Sequence, residues 1–352
     1  MDFSLTDEQQ MLRDTARSLF GAEFPATLLR EAVYDPTPDG PAAAAKAFDS
    51  HLRDWFAMGD ESVVDQCIFA EEAGAAVVLG PLWSSSALAL PVLRAVGGSG
   101  RCAATADSIA GGALTATVAM AGSDGLWRAN DEPTKRLVPE AGAVDRIVVI
   151  GAGPPQPGVP DGSAAVSVVD AGDAVINEVA SLDRSRPLFD VTVPADPDTE
   201  SIGMDALRAA LERSTDVLAA ELVGVARWLR EATIAYVSER EQFGRPVGSF
   251  QGLQWKLVDA ALQHERAAAA VAYAAMCLDA GDPDRHHAVH VAKASAGTAA
   301  RGWARDGLQA HGGIGNTWEH DLHLRLRRAH GSDHMLGDAD WHRDRLADLI
   351  FQ

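Results

Sequence analysis

The sequence predicts an α+β protein with three successive parts: an N-terminal α-helical domain, a small middle β-domain and a C-terminal four-helix-bundle domain. Apolar residues recur at helical spacing in the first part, short β-type runs alternate with turns in the second, and long alanine-rich stretches fill the third. We place the boundaries at 1–100, 101–200 and 201–352. A chain of 352 residues is long enough to bury more than one such interior.

The N-terminal part is predicted from helical periodicity and from helix breakers. Met11, Leu12 and Leu19 recur at three- and four-residue spacing, and Thr6 is a suitable N-cap for a helix that reaches about Leu29. The turn DPTPDGP then interrupts the pattern. Further helices are expected over 42–58, 61–79 and 84–96.

The middle part changes to short β-type runs separated by Gly, Pro and Asp, which predicts a mostly antiparallel sheet. Strands are expected at Leu114–Met120, Arg146–Ile150, Ala164–Val169 and Phe189–Val193. From Met204 onward helices dominate, and the frequent alanine allows their axes to approach closely. These helices are expected over 204–238, 250–280, 284–310, 319–330 and 339–350.

Composition excludes several classes of protein. The 50 acidic and 30 basic residues give a formal charge of −20, which repels phosphate backbones and argues against nucleic acid as a partner. The three cysteines are widely spaced, and this suits a reducing cytoplasm better than a disulfide framework. The polar, acidic start MDFSLTDEQQ does not look like a secretory signal, and no run approaches the roughly 20 apolar residues of a membrane span. We expect a cytoplasmic protein that does not enter a membrane.

Two motifs interrupt the helical C-terminal part. In EREQFGRPVGSFQGLQ, Pro246 with its flanking glycines predicts a compact bend, and Ser249 is a candidate cap for the helix that follows. Arg240 is expected at the end of the preceding helix, where a cation complements the helix dipole. These residues can be explained by packing, with Phe243 inserted into the bundle, or by binding of a ligand.

The second motif, QAHGGIGNTWEHD, begins where a helix is expected to end. Its glycines would let backbone N–H groups approach a ligand, and they are equally suited to be C-caps. From the residues alone both interpretations remain open.

Together these motifs resemble the C-terminal domain of the acyl-CoA dehydrogenases, and the start MDFSLTDEQQMLRDTAR resembles the opening helix of that family. The resemblance covers nearly the whole chain and is weakest over 101–200. It implies the family's three-part fold, an acyl-CoA substrate and FAD, with the FAD pyrophosphate held by an arginine across a subunit boundary. The positions that match the family's FAD-binding residues are Arg240, Phe243, Gln251, Gln309, Gly312 and Gly313.

The family's reaction needs a carboxylate as the general base that removes the α-proton of the acyl-CoA thioester. The two positions that the family uses for this glutamate fall on Leu336 and Ser214, and neither side chain can act as a base. Shifting the alignment with the family by one or two residues would bring Asp338, Glu212 or Asp216 to these positions. On a helix, however, two residues correspond to a rotation of about 200°, so Glu212 and Asp216 would point away from a site that Ser214 faces. Glu221, two turns after Ser214 on the same helical face, is either a displaced base or a buried carboxylate satisfied by arginine.

The middle part also departs from the family pattern. Where relatives have Leu-Thr-Glu-Pro and Gly-Ser-Asp against flavin and CoA, this chain has LTATVAMAGSD. A chain without a base that retains the FAD motifs resembles one subunit of the bacterial α2β2 acyl-CoA dehydrogenases of steroid side-chain degradation. The expectation is therefore a heterotetramer with a homologous catalytic subunit. The alternatives are a self-sufficient homotetramer with a displaced base and a flavin-free scaffold.

Two weaker patterns are interpreted as structural. GAGPPQ at 151–156 imitates a dinucleotide fingerprint, but its third glycine is replaced and prolines follow, so we expect a turn. His286, His287 and His290 could offer imidazoles to a metal, but no acidic third ligand is evident, and a solvated helix start is expected.

Overall fold

The structure of the chain, a computed structural model, describes residues 4–153, 162–194 and 198–351. None of the described helices is long and apolar enough to cross a membrane. The α-helices are α1 (Asp7–Glu23), α2 (Ala26–Leu29), α3 (Gly40–His51), α4 (Val63–Ala76), α5 (Leu90–Val96), α6 (Arg101–Ala110), α7 (Met204–Glu239), α8 (Gln251–Ala280), α9 (Arg285–His311), α10 (Leu322–His334) and α11 (Ala339–Phe351).

The strands form two small sheets and a short hairpin, and every pairing is antiparallel except that of the first strand with the third. They are β1 (Ala116–Ala119), β2 (Thr134–Pro139), β3 (Arg146–Ala152), β4 (Ser163–Asp170), β5 (Val175–Val179), β6 (Leu188–Thr192), β7 (Thr199–Gly203), β8 (Glu241–Gln242) and β9 (Arg245–Pro246). The strand orders are β1-β3-β4-β7, β2-β6-β5 and β8-β9. The predicted α+β class is confirmed.

The chain divides into two compact units. Unit 1 contains Met1–Leu29, Val63–Val78 and Asp216–Gln352, and unit 2 contains Arg30–Ser62 and Leu79–Thr215. The boundaries predicted at 1–100, 101–200 and 201–352 stay a prediction.

In unit 2, alternate residues of the strands build an apolar core. Ile147 and Val149 lie two apart on β3, so both point to the same face of the sheet, where they pack with Val169 and Val191. Full burial of one such side chain stabilises the fold by about 1.5–3 kcal/mol.

In unit 1, α8 and α9 form an antiparallel helical hairpin. Gly281 ends α8 in the left-handed conformation at φ 62°, and the chain turns back into α9 within a few residues. Buried alanines, such as Ala267 and Ala274 on α8 and Ala296 on α9, leave room for close packing of helices. The hairpin brings the first turns of α8 beside the last turns of α9, which carry the two sequence motifs.

The predicted helix start at Thr6 is confirmed, because its hydroxyl accepts a hydrogen bond from Gln9 N and the Gln9 side chain accepts one from Thr6 N. The predicted Ser249 cap is wrong. Val247–Ser249 form a 3-10 turn, which directs the Ser249 hydroxyl back to the Pro246 carbonyl at 2.7 Å, and Phe250 occupies the N-cap position.

Only strands were expected from about residue 101, but α6 occupies Arg101–Ala110. Cys102, Ala106 and Ile109 are buried at helical spacing on this short element. Of the turn predicted at 151–156, Gly151 and Ala152 are the last residues of β3 and Gly153 follows the strand, while 154–156 lie outside the described residues.

Candidate cofactor-binding site and catalytic positions

Arg240 stands at the base of a tight hairpin that follows α7. Its N–H donates to Tyr236 O and continues the helical pattern, while Val247 N–H donates to Arg240 O at 2.8 Å and closes the hairpin. Phe243 at φ 55° and Gly244 at φ 77° form the reversal between β8 and β9. The Arg240 guanidinium is exposed, and no carboxylate among the described residues pairs with it.

Phe243 is 93% exposed, so the interpretation that it inserts into the bundle of its own chain is wrong. Its ring meets Phe250 edge to face, with the ring centroids 6.2 Å apart. The Arg245 guanidinium lies over the ring of Phe250, 4.1 Å from the ring centroid. The hairpin therefore presents one exposed aromatic ring and two exposed cations, Arg240 and Arg245.

The helical hairpin joins this surface to the second motif. Gln251 is exposed in the first turn of α8, and Gln309 is exposed in the last turn of α9. The Lys256 ammonium donates to Gln309 Oε1 at 2.8 Å across the two helices. The sequence alone does not indicate Lys256, because only the α8–α9 register places it beside Gln309.

The glycine turn is only partly available to a ligand. Gly312 ends α9 at φ 62°, and its N–H donates within the cap to Leu308 O and Gln309 O. This N–H is therefore already used in the helix C-cap, which agrees with the C-cap interpretation, and the match of Gly312 and Gly313 to cofactor-binding positions stays a prediction. A Cβ added to Gly312 or Gly313 would meet nothing within 4 Å, so the turn leaves open space beside Gln309.

His311 ties the glycine turn to the end of α7. The buried imidazole donates through Nδ1 to Gly307 O at 2.8 Å and stacks on Tyr236, one turn before Arg240, with ring centroids 4.4 Å apart. Burial lowers the pKa of His311, so the ring is neutral at pH 7. This stack connects the helix ends that carry Arg240 and Gln309.

The exposed groups fit the phosphate and adenosine portions of FAD. Guanidinium, ammonium and amide N–H groups are the donors that phosphate and ribose oxygens require, and Phe243 offers an uncovered ring. Arg240, Arg245 and Lys256 have no ion-pair partner within the part of the chain that the structure describes, although the chain carries 50 acidic residues. Such an uncompensated positive surface favours an anionic ligand.

Neither family position for the base carries an acid. Ser214 is fully buried in unit 2, where its hydroxyl donates to Ala210 O at 3.0 Å on its own helix. Leu336 is buried in unit 1 at φ 57°, and its carbonyl accepts a hydrogen bond from His342 Nε2 at 3.1 Å. Both residues are therefore buried and hydrogen-bonded within the protein, and neither carries a carboxylate.

Glu221 is buried in unit 1 with two polar partners on α10. Ser332 donates to Glu221 Oε1 at 2.9 Å, and the Arg328 Nη1 atom lies 3.5 Å from the same oxygen. Glu221 is 3% exposed and Arg328 1%. This arrangement favours the interpretation of Glu221 as a buried, arginine-paired carboxylate, and its role as a base stays a prediction.

Two carboxylates near the family positions for the base, Asp216 and Asp338, also accept hydrogen bonds within the protein. Asp216 is fully buried, accepts a hydrogen bond from the Cys67 thiol at 3.6 Å, and has its pKa raised well above the usual range by burial. Asp338 accepts the Trp341 N–H at 2.8 Å at the start of α11, and this backbone hydrogen bond lowers its pKa.

In unit 2, the Gly-Ser-Asp segment at 122–124 is hydrogen-bonded to Glu132 of the same chain. Ser123 donates to Glu132 through its N–H at 2.8 Å and through its hydroxyl at 3.1 Å. A Cβ at Gly122 would lie 2.6 Å from Glu132 Oε1, so the carboxylate packs against the backbone at this point. Glu132 thus uses the donors of this segment and adds negative charge to it.

Of the histidines at the start of α9, His287 keeps 40% of its side chain exposed beside Asp284, but His290 is not part of a solvated helix start. His290 Nδ1 lies 2.7 Å from His342 Nδ1, and burial lowers the pKa of both rings, that of His290 to about 4. No group of three potential metal ligands occurs within 4–153, 162–194 and 198–351.

Comparison with known proteins agrees with this fold and with these motifs. The family model for the acyl-CoA dehydrogenase C-terminal domain matches residues 202–351. The acyl-CoA dehydrogenase FadE34 of Mycobacterium tuberculosis is 34% identical over 285 residues, which cover 78% of this chain and 37% of FadE34. The acyl-CoA dehydrogenase IpdE2 of the same organism is 42% identical over 120 residues, which cover 34% of this chain and 36% of IpdE2.

Solved structures resemble the whole chain. A chain of the Tcur3481–Tcur3483 steroid ACAD variant superposes with a TM-score of 0.82 at 25% identity, covering 98% of both chains. A chain of the ChsE4–ChsE5 complex from Mycobacterium tuberculosis gives a TM-score of 0.84 at 21% identity, covering 100% of this chain and 99% of that one. The chain belongs to the acyl-CoA dehydrogenase family. It spans little more than a third of the length of FadE34 and IpdE2.

Proposed function

We propose that the chain is one subunit of an FAD-dependent acyl-CoA dehydrogenase, and that it completes the FAD site of a homologous partner chain that supplies the base. One contrast carries this proposal. The exposed surface around Arg240 and Gln309 keeps unpaired donors for an anionic ligand, while Ser214 and Leu336 cannot accept a proton and Glu221 is tied to Arg328.

The exposed face of α8 supports a partner at this surface. Trp255, Val258 and Leu262 are 65%, 64% and 60% exposed and share one helical face, which we call the α8 stripe. Gln251, one turn before Trp255, continues the same face. A large apolar stripe that ends at a polar ligand-binding residue fits a subunit interface with the cofactor at its edge.

The closed segment at Ser123 supports a division of labour between two chains. Glu132 occupies the donors that relatives would direct at flavin and CoA, and its charge disfavours an anion at this place. The cofactor that Arg240 contacts would therefore lie mainly on the partner chain.

In the proposed complex, FAD would accept a hydride from the acyl-CoA thioester while the base of the partner removes the α-proton. The residues of this chain bind and orient the cofactor. Arg240 would hold the pyrophosphate, Phe243 and Gln251 would lie beside the cofactor, and Gln309 with the space above Gly313 would receive the adenosine side.

A bulky acyl group, such as a steroid side chain, is the substrate class we propose. The support is the likeness to a structure described as a steroid ACAD and to a complex of two different chains. The cytoplasmic location expected from the sequence remains part of this proposal.

The test is to co-purify the chain with its native partner and to record the visible spectrum of the complex. We expect Arg240→Met to weaken FAD binding about 10- to 100-fold, because charge-assisted hydrogen bonds to phosphate are lost, with Arg240→Lys intermediate. The matched control is Arg208→Met near the other end of α7, where an exposed pair with Asp205 contributes little. A complex without flavin, or equal FAD affinity in both methionine variants, would contradict the proposal and favour a scaffold.

A further inference from the structure

Lys256 links the two motifs of the candidate site. It lies in the second turn of α8, five residues after Gln251, and its ammonium donates to Gln309 Oε1 at 2.8 Å. No carboxylate pairs with this ammonium among the described residues, so the amide of Gln309 is the polar partner that the structure gives it.

The hydrogen bond fixes the orientation of the Gln309 amide. A glutamine amide has an acceptor oxygen and a donor nitrogen, and the surrounding hydrogen bonds decide which side each occupies. Because an ammonium can only donate, Oε1 must face Lys256, and the Nε2 donors are left for another group. That group must be an acceptor such as a phosphate or hydroxyl oxygen.

Lys256 also adds a positive charge to the candidate site, in a chain whose acidic residues outnumber its basic residues by 50 to 30. With a formal charge of −20, the protein as a whole repels a dinucleotide, so local cations must receive its phosphates. Arg245 is directed at the ring of Phe250, whereas Arg240, directly after the end of α7, and Lys256, on α8, remain available. Two of the three N–H donors of Lys256 are not used by Gln309.

We propose that Lys256 is a further cofactor-binding residue, which orients the Gln309 amide with its donors outward and adds a positive charge beside the phosphates of FAD. This inference rests on the proposed function, because the cofactor is the FAD shared with the partner chain. α8 would then contribute two residues to the cofactor site, Gln251 and Lys256.

The first test is FAD affinity in the complex with the partner chain, measured by titration of the apo-complex. We expect Lys256→Met to raise the Kd about tenfold and to weaken its dependence on salt, because one cation is lost. Lys256→Arg should restore most of the affinity, and the thermal midpoint of the apo-complex should stay unchanged in both variants. Lys46→Met, the same substitution on the exposed face of α3, is the control and should leave the Kd unchanged.

A second test uses the small number of lysines in the chain. They are Lys46, Lys135, Lys256 and Lys293. Lys135 and Lys293 are buried, so limited acetylation should modify Lys46 and Lys256 in the apo-complex. We expect FAD to protect Lys256 several-fold and to leave Lys46 unchanged in peptide mass spectra.

The outcomes separate this inference from the proposed function. If the wild-type complex binds FAD and Arg240→Met weakens binding, but Lys256→Met binds normally and Lys256 is acetylated equally with and without FAD, only the role of Lys256 is contradicted. If the wild-type complex holds no FAD, both proposals are contradicted.

Discussion

Replacing Glu221 with glutamine tests whether this carboxylate is structural or catalytic. Glu221 and Arg328 are almost fully buried with 3.5 Å between their charged atoms, and at an effective dielectric constant near 20 two such charges attract by about 5 kcal/mol. Loss of one partner of a buried pair costs about 3–5 kcal/mol, since the other charge stays buried without compensation. We therefore expect Glu221→Gln to lower the thermal midpoint by on the order of 10 °C.

The assay is thermal unfolding of the complex, combined with turnover per folded complex. If Glu221 is structural, the turnover of the folded fraction stays unchanged in Glu221→Gln. The double variant Glu221→Leu with Arg328→Met should recover part of the lost stability, because both buried charges are removed together. Loss of turnover with an unchanged thermal midpoint would contradict a structural role and identify Glu221 as the base of a self-sufficient enzyme.

Two further predictions concern the α8 stripe and a buried acid. Trp255→Glu should shift the assembly toward smaller species in analytical ultracentrifugation, because a charge replaces the exposed indole at the proposed interface, and an unchanged mass would exclude the stripe from the interface. Burial raises the pKa of Asp216, so the folded chain retains a proton that the unfolded carboxyl loses near pH 4, and the free energy of unfolding should fall as pH rises above that value. Asp216→Asn should remove this decline and raise stability at pH 7, whereas parallel pH profiles of variant and wild type would contradict it.

The long helices were predictable from the sequence because their patterns are long and their ends carry breakers. α7, α8 and α9 begin and end within about two residues of the predicted positions, and Gly281 marks the end of α8. Short edge elements were missed. β5 exposes most of its residues, and β2 contains an irregularity at Leu137 with φ 55°, so neither shows the alternation of a half-buried strand.

The candidate site was predictable in its residue types but not in its contacts. The motifs indicated Arg240 and Gln309, and their resemblance to a known family implied FAD; the binding of FAD by these residues stays a prediction. The bond from Lys256 to Gln309 and the stack of His311 on Tyr236 depend on how helices far apart in sequence align. The closure of Ser123 by Glu132 likewise depends on a local turn that no motif indicates.

The flavin content of this chain purified alone, compared with that of its complex with the partner, distinguishes a subunit that completes the FAD site of another chain from a self-sufficient enzyme. We expect the lone chain to carry little FAD and to have no acyl-CoA dehydrogenase activity, and we expect the complex to be yellow and active. Stoichiometric FAD and full turnover in the lone chain would contradict this expectation.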